Sequence, residues 1–156
     1  MTEQKFKNIQ QIIPHRDPLI MIDNYRKIDN DTAYSQKVFT PDDYGCSNGY
    51  VSDSILVECI AQTVAAHYGY QALVEKNNKP GVGMLVSVDT FVFYKKVEEK
   101  AKIEIFISKT DTIGPFKLFK GKISIGEKTI AQGHIKVFNP DNPEKPKSKK
   151  MKRINN

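Results

Sequence analysis

Glu58 is a carboxylate in apolar company. It sits within Asp53-Ser-Ile-Leu-Val-Glu-Cys-Ile-Ala-Gln-Thr-Val-Ala-Ala-His-Tyr-Gly-Tyr-Gln-Ala-Leu73, whose apolar residues cover nearly the whole circumference of a helix. Ile55, Cys59, Gln62 and Ala66 lie along one stripe, and Leu56, Val57, Ile60, Thr63 and His67 fill the other sides. A Glu that cannot reach water must be paired, hydrogen-bonded or protonated, so Glu58 is either a polar anchor of the core or a working acid. Gln62, one turn later, is placed to hydrogen-bond and orient it, or is a core polar residue and nothing more. The remaining chemistry is sparse. His15, His67 and His134 lack metal-ligand spacing, so no metal and no cofactor is expected. Cys46 and Cys59 make no disulfide framework, and neither has a base within sequence reach to make it a nucleophile.

A helix apolar on all sides has to be wrapped by other structure, and the rest of the chain reads as its wrapping. Residues 1–13 read as a short amphipathic helix stopped at Pro14, and Pro14-His-Arg-Asp-Pro18 as a rigid turn in which Arg16 and Asp17 satisfy backbone or each other. Leu19 to Ile28 and Thr32 to Phe39 read as a hairpin joined by Asp29-Asn-Asp31. Thr40 to Ser52 reads as a loop, after which Ser52, Asp53 or Ser54 could cap the helix. Beyond Asn77-Asn-Lys-Pro-Gly81 four more strands are expected, over Met84 to Tyr94, Ala101 to Thr110, Pro115 to Ile125 and Thr129 to Phe138, with Gly126-Glu127 as a type II′ hairpin loop. Six strands around one buried helix define an α+β domain over 1–139, in which an antiparallel sheet curls round the helix. Such a sheet leaves edge strands open, and pairing of two copies into a continuous sheet is the expected remedy.

At 156 residues the chain is long enough for one domain with a real core. Neither a signal-peptide core nor a run of about 18 apolar residues is present, so a cytoplasmic protein without a membrane span is expected. The net charge of +6 is unevenly placed, with Lys145, Lys147, Lys149, Lys150, Lys152 and Arg153 crowded into the last residues. No aromatic residue is interleaved with them, so 140–156 reads as a solvated, disordered tail rather than a nucleic-acid-binding arm.

Three motifs resemble one family. Ile13-Pro-His-Arg-Asp-Pro-Leu-Ile-Met-Ile-Asp23 resembles the Pro-His-Arg opening of the β-hydroxyacyl-acyl carrier protein dehydratases, bacterial hot-dog-fold enzymes of fatty acid synthesis. Ile55-Leu-Val-Glu-Cys-Ile-Ala-Gln62 is similar to their central-helix motif, and Phe93-Tyr-Lys-Lys-Val97 to the turn that follows their third strand. The match is in family order and covers roughly residues 8 to 138. It implies a hot-dog fold and loss of water from a 3-hydroxyacyl thioester carried on acyl carrier protein or coenzyme A. In that family a His removes the α-proton, a carboxylate on the central helix, reached across a dimer interface, protonates the leaving hydroxyl, and amides at the helix start polarise the carbonyl.

Glu58 occupies the family's carboxylate position. Fourteen residues earlier, where the family has its His, stands Tyr44, and a phenol with an ordinary pKa near ~10 does not replace imidazole. Ser52 and Asp53 replace the family's Pro-Gly. His15 reads as part of the turn motif, and His67 lies about 13 Å further along the helix at ~1.5 Å per residue. The dehydratase-like proteins of aryl-polyene and flexirubin pigment pathways are more similar still, matching Glu58-Cys-Ile-Ala-Gln-Thr-Val-Ala-Ala66. There two different hot-dog subunits can pair, which implies that this chain supplies the carboxylate and a partner the base. Four readings follow: the carboxylate-bearing subunit of a heteromeric dehydratase; a self-sufficient hydro-lyase or thioesterase homodimer; a non-catalytic acyl-carrier binding module; and a nucleic-acid protein acting through its tail. Under the first two, Glu58 is catalytic, and Tyr44, Ser52, Asp53, Ser54 and Gln62 contact substrate.

Overall fold

The computed structural model describes residues 5–140. The strands are β1 (Asn24–Lys27), β2 (Thr32–Val38), β3 (Cys46–Ser47), β4 (Tyr50–Val51), β5 (Met84–Phe93), β6 (Val97–Glu98), β7 (Lys102–Ile113), β8 (Phe116–Ile125) and β9 (Lys128–Phe138), with one long helix, α1 (Asp53–Tyr70), between β4 and β5. Six of the strands form an antiparallel sheet in the order β1-β2-β7-β8-β9-β5, and β3, β4 and β6 form a small second sheet. The large sheet curls over α1, which packs against β1, β2, β5, β7 and β8.

Period-2 alternation drives this wrapping. On β7, Ile103, Ile105 and Ile107 turn inward and are fully buried, and on β8 Phe119 and Ile123 do the same. They meet Leu56, Cys59, Ile60 and Ala66 of the helix, all without solvent exposure. Each such aliphatic side chain contributes about 1.5–3 kcal/mol by leaving water. Between β8 and β9, Gly126 has φ +57°, and Glu127 is not left-handed, as a type II′ turn requires.

The helix is not covered all round. Glu58, Ala61, Ala65 and Tyr68 are only half-buried, and their spacing of three and four residues makes one continuous stripe along α1 that the sheet leaves open. Beside the open side runs β5, an edge strand hydrogen-bonded among the described residues only to β9, with Met84, Leu85, Val86, Val88 and Val92 all exposed.

Several expected elements differ. In place of a helix over 1–13, the described part of that segment holds only a single 3-10 turn, Ile9–Gln11, preceded by a bridge from Phe6 to Tyr25. Ile12 and Ile13 are nevertheless buried, because the segment lies directly on α1: a Cβ at Gly69 would stand 1.7 Å from the Ile12 carbonyl oxygen. Only Asn24–Lys27 of the expected strand Leu19–Ile28 is paired as strand; ahead of it the backbone turns to a helix side chain instead, as described below. The 40–52 loop contains two of the three short strands of the small sheet, and α1 ends at Tyr70, followed by a π-helical turn over Gln71–Glu75. The basic tail lies outside the described residues apart from Pro140. Among the described residues no helix is long and apolar enough to cross a membrane.

Candidate functional site

Glu58 stands on the open stripe with its side chain about one-third exposed, so it is not sealed in the core. Its Oε1 accepts a hydrogen bond of 2.8 Å from the Gln62 side-chain amide. Gln62 is itself fully buried: its Oε1 accepts from the Met21 backbone N–H at 2.7 Å, and its Nε2 also donates to the Leu19 carbonyl at 2.7 Å. The Met21 N–H can only donate, so the amide orientation is fixed and an N–H is directed at Glu58. One side chain thus ties the segment after the proline turn to the helix and holds the carboxylate in place.

The second neighbour of Glu58 is His15, whose Nε2 lies 3.4 Å from Oε1. Local backbone geometry brings it there. Arg16 donates from Nη1 to the carbonyls of Ile13 (3.0 Å) and His15 (2.6 Å), and the Leu19 N–H closes the turn on Arg16 at 2.9 Å. Asp17–Pro18 is a cis peptide within this turn. Position 15 reads from the sequence as turn structure, and no histidine is expected beside Glu58. The structure corrects this, because the segment just ahead of the turn meets α1 where Ile12 lies on Gly69 and delivers the turn to the carboxylate.

His15 and Glu58 line one end of a cavity of about 210 Å³ that follows the stripe past Ala61, Val64, Ala65 and Tyr68. Its far side is formed by Lys76, Asn78 and Lys79 and by Met84 and Leu85 of the open edge strand. Its lining is therefore mostly small or apolar along the helix, acidic at one end and basic near the other. This suits an elongated apolar group with a polar head better than a compact polar ligand.

None of the expected contact residues lines this cavity, and Gln62 is fully buried. Tyr44 is 57 % exposed in the loop before α1. Ser52, Asp53 and Ser54 are exposed at the helix start; Ser52 occupies the N-cap position without a side-chain capping bond, its Oγ instead lying 3.0 Å from that of Ser54. Cys59 is sealed in the core and burial pushes its thiol up, away from thiolate; burial also raises Cys46. Among the described residues, no group of three His, Cys, Asp or Glu could hold a metal ion.

His67 belongs to a different network. It is buried, its Nε2 is 2.9 Å from the Asn30 carbonyl and its Nδ1 is 2.8 Å from the Tyr25 hydroxyl. A carbonyl only accepts, so Nε2 carries the proton and Nδ1 accepts from Tyr25. Burial holds this imidazole below its usual range and pushes the Tyr25 phenol up.

The ApeP dehydratase family model matches residues 7–148. The chain belongs to the ApeP-like dehydratase family. The resemblance to hot-dog dehydratases carried by the Pro-His-Arg and Glu58 motifs is thereby borne out. Among solved structures, the dehydratase heterocomplex ApeI:P from Xenorhabdus doucetiae superposes with a TM-score of 0.77 at 16 % identity, over 86 % of this chain and 91 % of that one. Cj0977, a sigma28-regulated virulence protein from Campylobacter jejuni, is similar at TM-score 0.64 and 14 % identity, over 85 % of each chain. The E. coli PaaI protein of the phenylacetic acid degradation operon is similar at 0.59 and 12 %, over 74 % of this chain and 81 % of that one. At these identities the structural matches establish the fold. No curated protein sequence matches the chain.

Proposed function

We propose that this ApeP-like chain is the carboxylate-bearing subunit of a heteromeric 3-hydroxyacyl thioester dehydratase, with the acyl chain delivered on acyl carrier protein or coenzyme A. The observation that carries the proposal is Glu58 itself: a carboxylate on the open stripe of an otherwise covered helix, oriented by a buried amide and facing a cavity whose helix side is lined by Ala61, Val64 and Ala65. In the reaction a base takes the proton from the α-carbon, the C–H electrons form the new double bond, and the bond from the β-carbon to its hydroxyl oxygen breaks. The protonated carboxyl of Glu58 gives its proton to that oxygen, and water leaves. Positioned acids and bases contribute about 10²–10⁴ in rate each, so an acid without its base is a nearly inactive enzyme.

Tyr44 stands where the family carries its His, so the base is assigned to a second hot-dog subunit. Two features support such a partner. The ApeI:P structure is a dehydratase heterocomplex, and β5 here is an edge strand, paired among the described residues with β9 alone, whose exposed Met84 and Leu85 also line the cavity. A partner strand added along β5 would continue the sheet and bring the partner's side chains to the open stripe. Ala61, Val64, Ala65 and Tyr68 then receive the acyl chain. Tyr44, Ser52, Asp53 and Ser54 would contact substrate only through surfaces completed by that partner.

The test is turnover by the isolated chain and after mixing with a hot-dog subunit that keeps the His. We expect negligible dehydration of a 3-hydroxyacyl thioester by the chain alone and activity that saturates at one partner per chain. Rapid turnover by the isolated chain would mark a self-sufficient homodimer instead.

A further inference from the structure

A general acid that has given up its proton must be reloaded before the next turnover. Glu58 has two polar neighbours on Oε1, and they differ in what they can supply. The Gln62 amide holds the carboxylate but has no proton to give. His15, 3.4 Å away through Nε2, is an imidazole, a group that can both accept and donate a proton. Nε2 faces Oε1 itself, so His15 is placed to act through Glu58.

The hydrogen bonding of the two helix-side histidines separates a structural imidazole from a working one. His67 is buried and both ring nitrogens are satisfied, by Tyr25 and Asn30. His15 is about one-third exposed, lines the cavity, and its Nδ1 is buried with no hydrogen-bond partner among the described residues. No carboxylate or carbonyl on Nδ1 locks the ring in one protonation state, as a purely structural histidine would require. The other charged groups facing the cavity are Lys76 and Lys79, from the segment after the π-helical turn; Tyr68 faces it from α1. The guanidinium of Arg16 is turned back onto the Ile13 and His15 carbonyls and does not enter the cavity's lining.

We propose that His15 is a proton-relay residue that reloads Glu58 between turnovers. Nε2 takes a proton from cavity water and passes it to Oε1, restoring the acid and leaving the imidazole neutral; the hydroxide left in the water is neutralised by the α-proton that the base releases to solvent, and nothing is oxidised or reduced. The inference rests on the reading of Glu58 as the acid. It makes His15 a positioning residue with a kinetic signature of its own, since the relay acts after the first turnover and not during it.

The experiment uses the full chain reconstituted with a His-bearing hot-dog subunit and a 3-hydroxyacyl N-acetylcysteamine thioester. It compares wild type, His15→Gln, His15→Ala and Glu58→Gln, after circular dichroism has shown that each folds. For both His15 variants the account predicts a first turnover at the wild-type rate, then a steady-state kcat lower by about 10–10²-fold with KM within about twofold. Added imidazole should restore kcat saturably in His15→Ala. Glu58→Gln should lose the first turnover as well and gain nothing from imidazole. If the His15 variants keep wild-type kcat, or lose the first turnover and are not rescued, His15 is a structural neighbour and the relay is wrong. Retention of activity by Glu58→Gln would overturn the reading of the acid itself, a distinct outcome.

Discussion

Replacing Gln62 by Leu removes the side chain that joins the post-turn segment, the helix and the carboxylate. The Met21 N–H that it satisfies is buried, and with no water to replace the amide oxygen it carries a desolvation penalty of about 1–3 kcal/mol. The Leu19 carbonyl is only part-buried and recovers water, so its loss adds about 1 kcal/mol or less. Together this amounts to about 1–4 kcal/mol, which for a domain of this size corresponds to a fall in melting temperature of about 3–14 °C. Gln62→Glu separates the parts of the network. It keeps an acceptor for Met21 but sets a second carboxylate against Glu58 and the Leu19 carbonyl, both of which need a donor. That carboxyl holds its proton more tightly folded than unfolded, so the variant should be destabilised at neutral pH and regain stability as the pH falls and the group protonates. Thermal unfolding followed by circular dichroism between pH 5 and 8 measures both. A Gln62→Leu midpoint within about 2 °C of wild type would refute the claim that this amide carries the network.

Stability should also report His67. Its native imidazole is held below its usual range, so the unfolded chain binds the proton first; the stabilisation is complete above the unfolded value of about 6.5 and is lost progressively as pH falls below it towards the lowered native value. His67→Gln should flatten that part of the pH–stability curve, and an unchanged slope would contradict the assignment. Gly69→Ala must push the Ile12 carbonyl away from α1, so it should destabilise by several kcal/mol, beyond the ~1 kcal/mol that Ala ordinarily returns in a helix, as chemical denaturation would measure. On the open edge strand, Val86→Lys or Val88→Glu should weaken association with a hot-dog partner while leaving the melting temperature of the isolated chain within about 2 °C, because both valines are about half exposed. Analytical ultracentrifugation reads the first effect and calorimetry the second.

The helix, the long strands and the Gly126 turn were legible in the sequence because each is written in local periodicity or local φ preference. What was not legible depends on contacts between distant residues. Leu19 to Asp23 alternates like a strand, yet its backbone bonds to the Arg16 carbonyl, to the buried Gln62 side chain and, through the Asp23 N–H, to the Gln36 carbonyl, and no pattern within the segment announces that. The strands of the small sheet are two residues each, too short for any period. Phe6, Ile9, Ile12 and Ile13 are spaced as a helix face, but their burial comes from lying across α1 rather than from helical packing. For the site, Glu58 and Gln62 could be singled out because a polar residue in an apolar helix is conspicuous. His15 could not, since only the fold of the Arg16 turn carries it to the carboxylate. The helix pattern is apolar nearly all round and implies full cover, whereas Glu58, Ala61, Ala65 and Tyr68 are left half-open.

The most direct test of the account is the effect of Glu58→Gln on dehydration by the reconstituted pair. The substitution preserves shape and removes the transferable proton. With both subunits folded and associated, kcat/KM for a 3-hydroxyacyl thioester should fall by about 10²–10⁴-fold while association and melting temperature stay as in wild type. An associated, folded Glu58→Gln pair that turns over at the wild-type rate would contradict the central claim, leaving Glu58 as a polar anchor on the helix.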